Sequence, residues 1–215
     1  MYRKLILIIT AIYCGMMSSF ATQDGPMRRL LTRPDSIADA LVLNIPESYR
    51  LDMVDYYEAD RDDYTPLHYI STFMRVDSID ENYARLSSKA AVNYDLYIVA
   101  PASDSLLVTV NHTPVGNGED IVVVKDMATA AVVDQPVANY TDWLAEKALD
   151  SFTEDEIIAA VPYVTSVATV DADRGEILLT NTAVTVPGLD ERIAALFVPQ
   201  LKYRWNGKKF VKVKK

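Results

Sequence analysis

The spacing of apolar residues divides the chain into segments of two periods. In the stretch RPDSIADALVLNIPESYRLDMVDYYEAD, residues 33–60, Ile37, Leu41 and Val42 or Leu43 fall near one face of a helix. Leu51, Val54 and Tyr57 or Glu58 repeat that spacing after Pro46. Apolar residues three and four apart line one side of an α-helix, so two short helices are predicted. Asp35 or Ser36 can cap the first and Ser48 the second. Pro46 separates them, because a proline inside a helix costs about 3 kcal/mol.

From about residue 69 the period shortens. The segments YISTFMRVDSI, NYARLSS, AAVNYDLYIVA, SLLVTVNHT and EDIVVVKD are short and rich in β-branched or aromatic residues. Asp80-Glu81, the run 101–104 and Gly116-Asn117-Gly118 break them apart. Short strands joined by short turns predict an antiparallel meander. In the third strand Tyr94, Leu96 and Ile98 alternate with Asp95, Tyr97 and Val99, giving one apolar face and one mixed face.

The C-terminal third alternates between the two periods. A strand is expected at 131–133, a loop at Gln135-Pro136 and a helix over 143–149. Thr153 and Glu156 have the spacing of a capping box, and three acids in the first turn suit the helix dipole. The segment VTSVATVDADRGEILLTN reads as a hairpin turning at Asp173-Arg174-Gly175, and PGLDERIAALFVP as a short helix ended by Pro199. The stretch LKYRWNGKKFVKV reads as a second hairpin. Asn206-Gly207 favours a two-residue type I′ turn. That register puts Leu201, Tyr203, Trp205 and Phe210 on one face and Lys202, Arg204 and Lys209 on the other. The aromatic face is expected to be buried, and the lysine face to discourage edge association. The whole pattern is α+β: an antiparallel meander and hairpins with short helices packed on one face.

The first 21 residues stand apart. Arg3 and Lys4 precede an uncharged, mostly apolar run over 5–17, and Ser19-Phe20-Ala21 supplies the small residues of a cleavage site. This is the pattern of a secretory signal peptide, too short for the roughly 20 apolar residues of a membrane span. Export to the periplasm, the cell surface or the medium is therefore expected. A lipid anchor at Cys14 ranks below simple cleavage, because Tyr13 stands where a small residue is wanted. Cleavage leaves residues 22–215 as a single exported domain without cysteine, with sub-halves at about 30–135 and 136–213. A chain of this size buries about 70% of its unfolded surface and needs no disulfide.

Charge narrows the partners. The chain has 21 basic and 30 acidic residues. Arg3 and Lys4 lie in the leader and seven more basic groups follow Leu201, so residues 22–201 hold 12 basic groups against all 30 acids. Such a body repels nucleic acid and anionic membrane surfaces. No nucleic-acid partner and no transmembrane anchor are expected.

Three segments, RLDMVDYYEAD (50–60), VAPASDSLL (99–107) and YRWNGKKF (203–210), together with the leader, resemble an uncharacterised family of secreted Bacteroidales proteins, domain of unknown function 3256. The resemblance covers most of the chain after the leader. It implies an exported compartment and this architecture but no activity and no catalytic residues. Members of that family carry a cysteine pair around the proline loop. Val99 and Ser103 stand there in this chain, so a disulfide is not implied.

Candidate chemistry is sparse. Asp52, Asp55, Glu58, Asp60, Asp62 and Asp63 form an acidic run, but no glycine-bearing loop accompanies it as a calcium site requires. DADRGE at 171–176 lacks the fifth and sixth ligand-loop residues of an EF-hand. His68 and His112 are far apart, and without cysteine or HExxH no zinc set is expected. There is no GxSxG around a serine, and Ser103 and Ser105 near His112 define no triad. No catalytic residue, metal or cofactor is therefore assigned. Tyrosine is in excess, with 13 in the chain. Tyr56, Tyr57, Tyr64 and Tyr69 beside Asp60, Asp62 and Asp63 make a candidate binding surface, because tyrosine suits interfaces and sugar faces. Ser36, Ser78 and Ser105 follow aspartate and precede an apolar residue, a spacing compatible with O-glycosylation; Ser78 and Ser105 are expected in turns. The functional expectation is a non-enzymatic binding or assembly module of the cell envelope, its partner an envelope protein or glycan. The alternative is a carboxylate-dependent hydrolase of glycan or cell-wall material.

Overall fold

The computed structural model describes residues 25–59, 74–88, 92–100, 105–112, 119–182 and 195–213. Three helices come first: α1 (Pro26–Thr32), α2 (Ser36–Leu41) and α3 (Glu47–Glu58). Six strands follow: β1 (Met74–Ile79), β2 (Tyr83–Ser88), β3 (Asn93–Val99), β4 (Leu106–His112), β5 (Ile121–Asp126) and β6 (Val132–Asp134). Short helices α4 (Tyr140–Trp143), α5 (Ala148–Ser151) and α6 (Glu154–Ala160) lead into β7 (Ser166–Asp171), β8 (Glu176–Asn181), β9 (Gln200–Trp205) and β10 (Phe210–Lys212).

The class is α+β, with two antiparallel sheets. β1 to β6 pair in sequence order as one sheet, and β7 to β10 form a second in the order β10-β9-β8-β7. The centre of the first sheet is buried on both sides. Leu86, Leu96, Ile98 and Leu107 pack under α1, α2 and α3. Leu106, Val108, Val110, Val122 and Val124 meet Ala168, Ile177, Leu179, Leu201, Tyr203 and Phe210 of the second sheet, with Trp143 and Ile157. The alternation read in β3 thus separates two cores rather than core from water. β4 shows the consequence: five consecutive residues, Leu106 to Val110, are all buried.

Arg50 organises the helical layer. It is fully buried, and its five N–H donors all find acceptors. Nε donates to the Ile45 carbonyl, Nη1 to those of Leu30 and Leu31, and Nη2 to that of Arg33 and to Asp39 Oδ1. These carbonyls belong to the end of α1 and the links on either side of α2, where helix ends leave acceptors unpaired. Gly25 closes this layer onto the sheet: a Cβ there would lie 3.1 Å from Glu81 Cα, beside the 3.0 Å bond from Met27 N–H to the Glu81 carbonyl.

Local signals in the sequence are mostly realised. Asp35 caps α2 by accepting from Ala38 N–H at 2.7 Å, and Thr153 with Glu156 forms the capping box of α6. Gly175 turns the β7–β8 hairpin with φ +61°. Several details differ. α3 begins at Glu47 with Pro46 as its N-cap, so Ser48 lies inside the first turn; proline's fixed φ starts a helix without needing a donor. The helix expected over 143–149 is replaced by two single turns, α4 and α5, because Leu144 is extended and bridges to Phe197. Ser78 lies within β1 rather than in a turn. The last hairpin does not use a type I′ turn. Trp205 pairs with Phe210 across a four-residue loop. Asn206 Oδ1 accepts from the N–H groups of Lys208 and Lys209 at 3.0 Å, and only Gly207 has positive φ, +93°. The longer loop keeps the expected face: Leu201, Tyr203 and Phe210 are buried, and Trp205 stacks on Phe210 at 5.4 Å.

The expected leader with Cys14, the turns at 101–104 and 116–118, and residues 187–194 of the helix expected to end at Pro199 lie outside the described residues. Among the described residues no helix is long and apolar enough to cross a membrane.

Candidate functional site

The face of the first sheet that meets the second changes character toward β2. Val108 and Val110 of β4 lie opposite Tyr97 and Asp95 of β3. Tyr97 and Asp95 in turn lie opposite Tyr83 and Arg85 of β2. Directly opposed residues share a face, so this row runs from the inter-sheet core out to the surface. The Arg85 side chain is 47% exposed. Arg75 of β1, opposite Ser87 on the same face, is 64% exposed.

Asp95 is the hub of the row. Its side chain is 4% exposed, and a buried carboxylate must be fully hydrogen-bonded. Arg85 meets it as a fork, Nε to Oδ1 at 2.7 Å and Nη2 to Oδ2 at 2.8 Å. Tyr83 donates its hydroxyl to Oδ1 at 2.9 Å and Tyr97 to Oδ2 at 3.4 Å. His112 Nε2 lies 3.0 Å from Oδ2. Burial pushes the Asp95 carboxyl up, but hydrogen bonds from Arg85, His112 and Tyr83 outweigh it and hold the group below the usual carboxylate range. Burial, reinforced by the bond to Asp95, pushes the Tyr83 phenol up to about 12. Burial and the Asp95 charge also raise the Tyr97 phenol. Both phenols therefore stay neutral donors to a fixed anion.

His112 carries the row across to the second sheet. Its Nδ1 lies 2.9 Å from Asp120 Oδ2. Asp120 also accepts from Ala168 N–H of β7 at 2.8 Å and donates its own N–H to the Ser166 carbonyl at 2.9 Å. Asp120 thus occupies outward-facing groups of an edge strand. Asp134, at the end of β6, does the same for the other edge of that sheet by accepting from Phe210 N–H at 2.6 Å. Beside Asp120 lies a groove of about 170 Å³ lined by Asp120, Ile121, Val122, Gln135, Val137 and Leu179 among others.

The residues singled out from the sequence fall elsewhere. Tyr56 and Tyr57 sit on α3, where the Tyr57 hydroxyl accepts from Ile79 N–H at 3.4 Å. Asp52 and Asp55 are exposed on the same helix, and Glu58 pairs with Arg28 at 2.5 Å. Tyr64, Tyr69, Asp60, Asp62, Asp63 and His68 lie outside the described residues. Ser36 opens α2 and Ser105 precedes β4, both exposed. His112, which the sequence assigned to no zinc set, links two carboxylates whose side chains are buried. The signal available for this row was period two: Tyr83-x-Arg85 and Asp95-x-Tyr97 place polar residues at alternate positions of adjacent strands.

No protein-family model matches the chain, and no curated protein matches it. Among solved structures it is similar to a domain of an uncharacterized protein from Porphyromonas gingivalis W83, with a TM-score of 0.59 and 15% identity over 88% of this chain and 100% of that one. At that identity the likeness is one of fold alone: two antiparallel sheets with short helices.

Proposed function

We propose that this protein is an exported binding or assembly module of the cell envelope, and that it binds through the Arg85 face of the first sheet. The leader and the three segments that resemble secreted Bacteroidales proteins support the compartment. One observation carries the binding face. Arg85 is locked by a buried carboxylate through two of its donors, and its remaining three N–H groups have no acceptor among the described residues. A guanidinium fixed in this way loses little freedom when it meets a ligand, which raises affinity for a given set of contacts. Tyr83 and Tyr97, with rings 5.0 Å apart, add amphipathic surface of the kind that binding sites use.

The hydrolase reading has no comparable support among the described residues. Asp95 is saturated with donors and held ionised, which suits a structural anchor rather than a general acid. The test compares wild type with Arg85→Gln on a glycan array and in crosslinked capture from the native envelope. The binding reading expects a defined set of targets that the substitution removes. Targets that survive the substitution unchanged contradict the assigned face.

A further inference from the structure

The donor and acceptor pattern of this face narrows its ligand. Arg85 turns one edge toward Asp95, so its other edge presents parallel N–H groups outward, the geometry that a planar carboxylate matches. Arg75 lies on the same face. Its Nε contacts Ser87 Oγ at 3.0 Å and Asp77 at 2.7 Å, and its terminal nitrogens have no acceptor among the described residues. Each guanidinium has its own carboxylate neighbour, so the face is close to neutral and recognition rests on hydrogen-bond geometry. Tyr83 and Tyr97 both donate to Asp95, and the Tyr83 oxygen also meets the Ser78 side chain, so the Tyr97 oxygen is the acceptor left for an incoming hydroxyl. Strand addition on the β7 side of this face is poorly served. The β7 edge beside the face already gives the Ser166 carbonyl and Ala168 N–H to Asp120, and strand addition needs those groups. A compact ring bearing hydroxyls and one carboxylate uses everything the face offers.

We propose that the Arg85 face binds a carboxylate-bearing sugar of the uronic acid class, with Arg85 and Arg75 on the carboxylate and Tyr83 and Tyr97 on the ring and its hydroxyls. This rests on the binding reading above and specifies its ligand. The full chain is titrated by calorimetry with trigalacturonic acid, with neutral maltotriose and with triglutamate. Trigalacturonate is expected to bind at least about tenfold more tightly than either control. Arg85→Gln and Arg85→Lys should each weaken it by about tenfold, because lysine keeps the charge but loses the fork. Arg75→Gln, at an exposed position away from Asp95, should weaken it by about threefold without affecting folding. No binding of trigalacturonate, or binding indifferent to Arg85 and Arg75, overturns the inference. If a control binds through Arg85 while trigalacturonate does not, the uronic acid assignment fails and the face survives as a binding site. If no ligand responds to any of these variants, the face itself is wrong.

Discussion

Arg50 in the helical layer and Arg85 on the open sheet face each meet a carboxylate, and they differ in what else they touch. Arg50 is fully buried and spends all five donors on four carbonyls and Asp39. Nothing is left over, so its whole effect is to hold α1, α2 and α3 together. Arg85 spends two donors on Asp95 and keeps three at the surface. There the buried partner is the carboxylate, and the guanidinium is what the sheet displays. The pair shows how one side chain serves stability or recognition according to which end of the ion pair is buried.

The comparison breaks first at Arg50. Arg50→Met should destabilise the fold by about 3–5 kcal/mol, the usual cost of leaving buried groups unpartnered, read as a lower urea midpoint with unchanged slope. Arg85→Gln should cost only about 1–2 kcal/mol, since one partner is half-exposed and Tyr83, Tyr97 and His112 still serve Asp95. Equal losses at the two sites would remove the distinction.

Acid sharpens it. The folded Asp95 carboxyl titrates below its usual value, whereas in the unfolded chain it titrates near the ordinary aspartate value of about 3.9. The unfolded state therefore binds the proton first. Stability contributed by Asp95 is present above about pH 4 and is lost as the pH falls through its folded value. Asp95→Asn should flatten the acid limb of the stability curve, measured by denaturant melts from pH 6 to pH 2.5. Arg50→Met should leave the shape of that limb unchanged.

The smallest effect is expected far from both arginines. Gly207→Ala forces a Cβ into φ +93° with nothing within 4 Å to crowd it. It should cost about 1 kcal/mol through backbone strain alone. Ligand binding at the Arg85 face should not change.

What the sequence made legible follows from the range of each interaction. The Asp35 cap, the Thr153–Glu156 box and the Gly175 turn are set within four residues and could be read directly. The alternation of β3 was legible too, but not its meaning. Asp95 falls on the face that meets the second sheet, and only the pairing of β2, β3 and β4 shows that Tyr83, Arg85 and His112 converge on it. Arg50 gave no sign either, because its acceptors are backbone carbonyls, which any residue supplies. The turn at Asn206-Gly207 misled in its length. The Asn206 side chain captures two backbone N–H groups, and this favours a longer loop.

The most direct test of the account is a two-dimensional amide NMR titration of the chain with trigalacturonic acid. Shifts should saturate and cluster on β1, β2, β3 and the end of β4, around Arg75, Tyr83, Arg85, Tyr97 and His112, with α1 to α3 silent. Shifts that centre on the α3 surface or on the groove between Ile121 and Val137, or an unchanged spectrum, would contradict it.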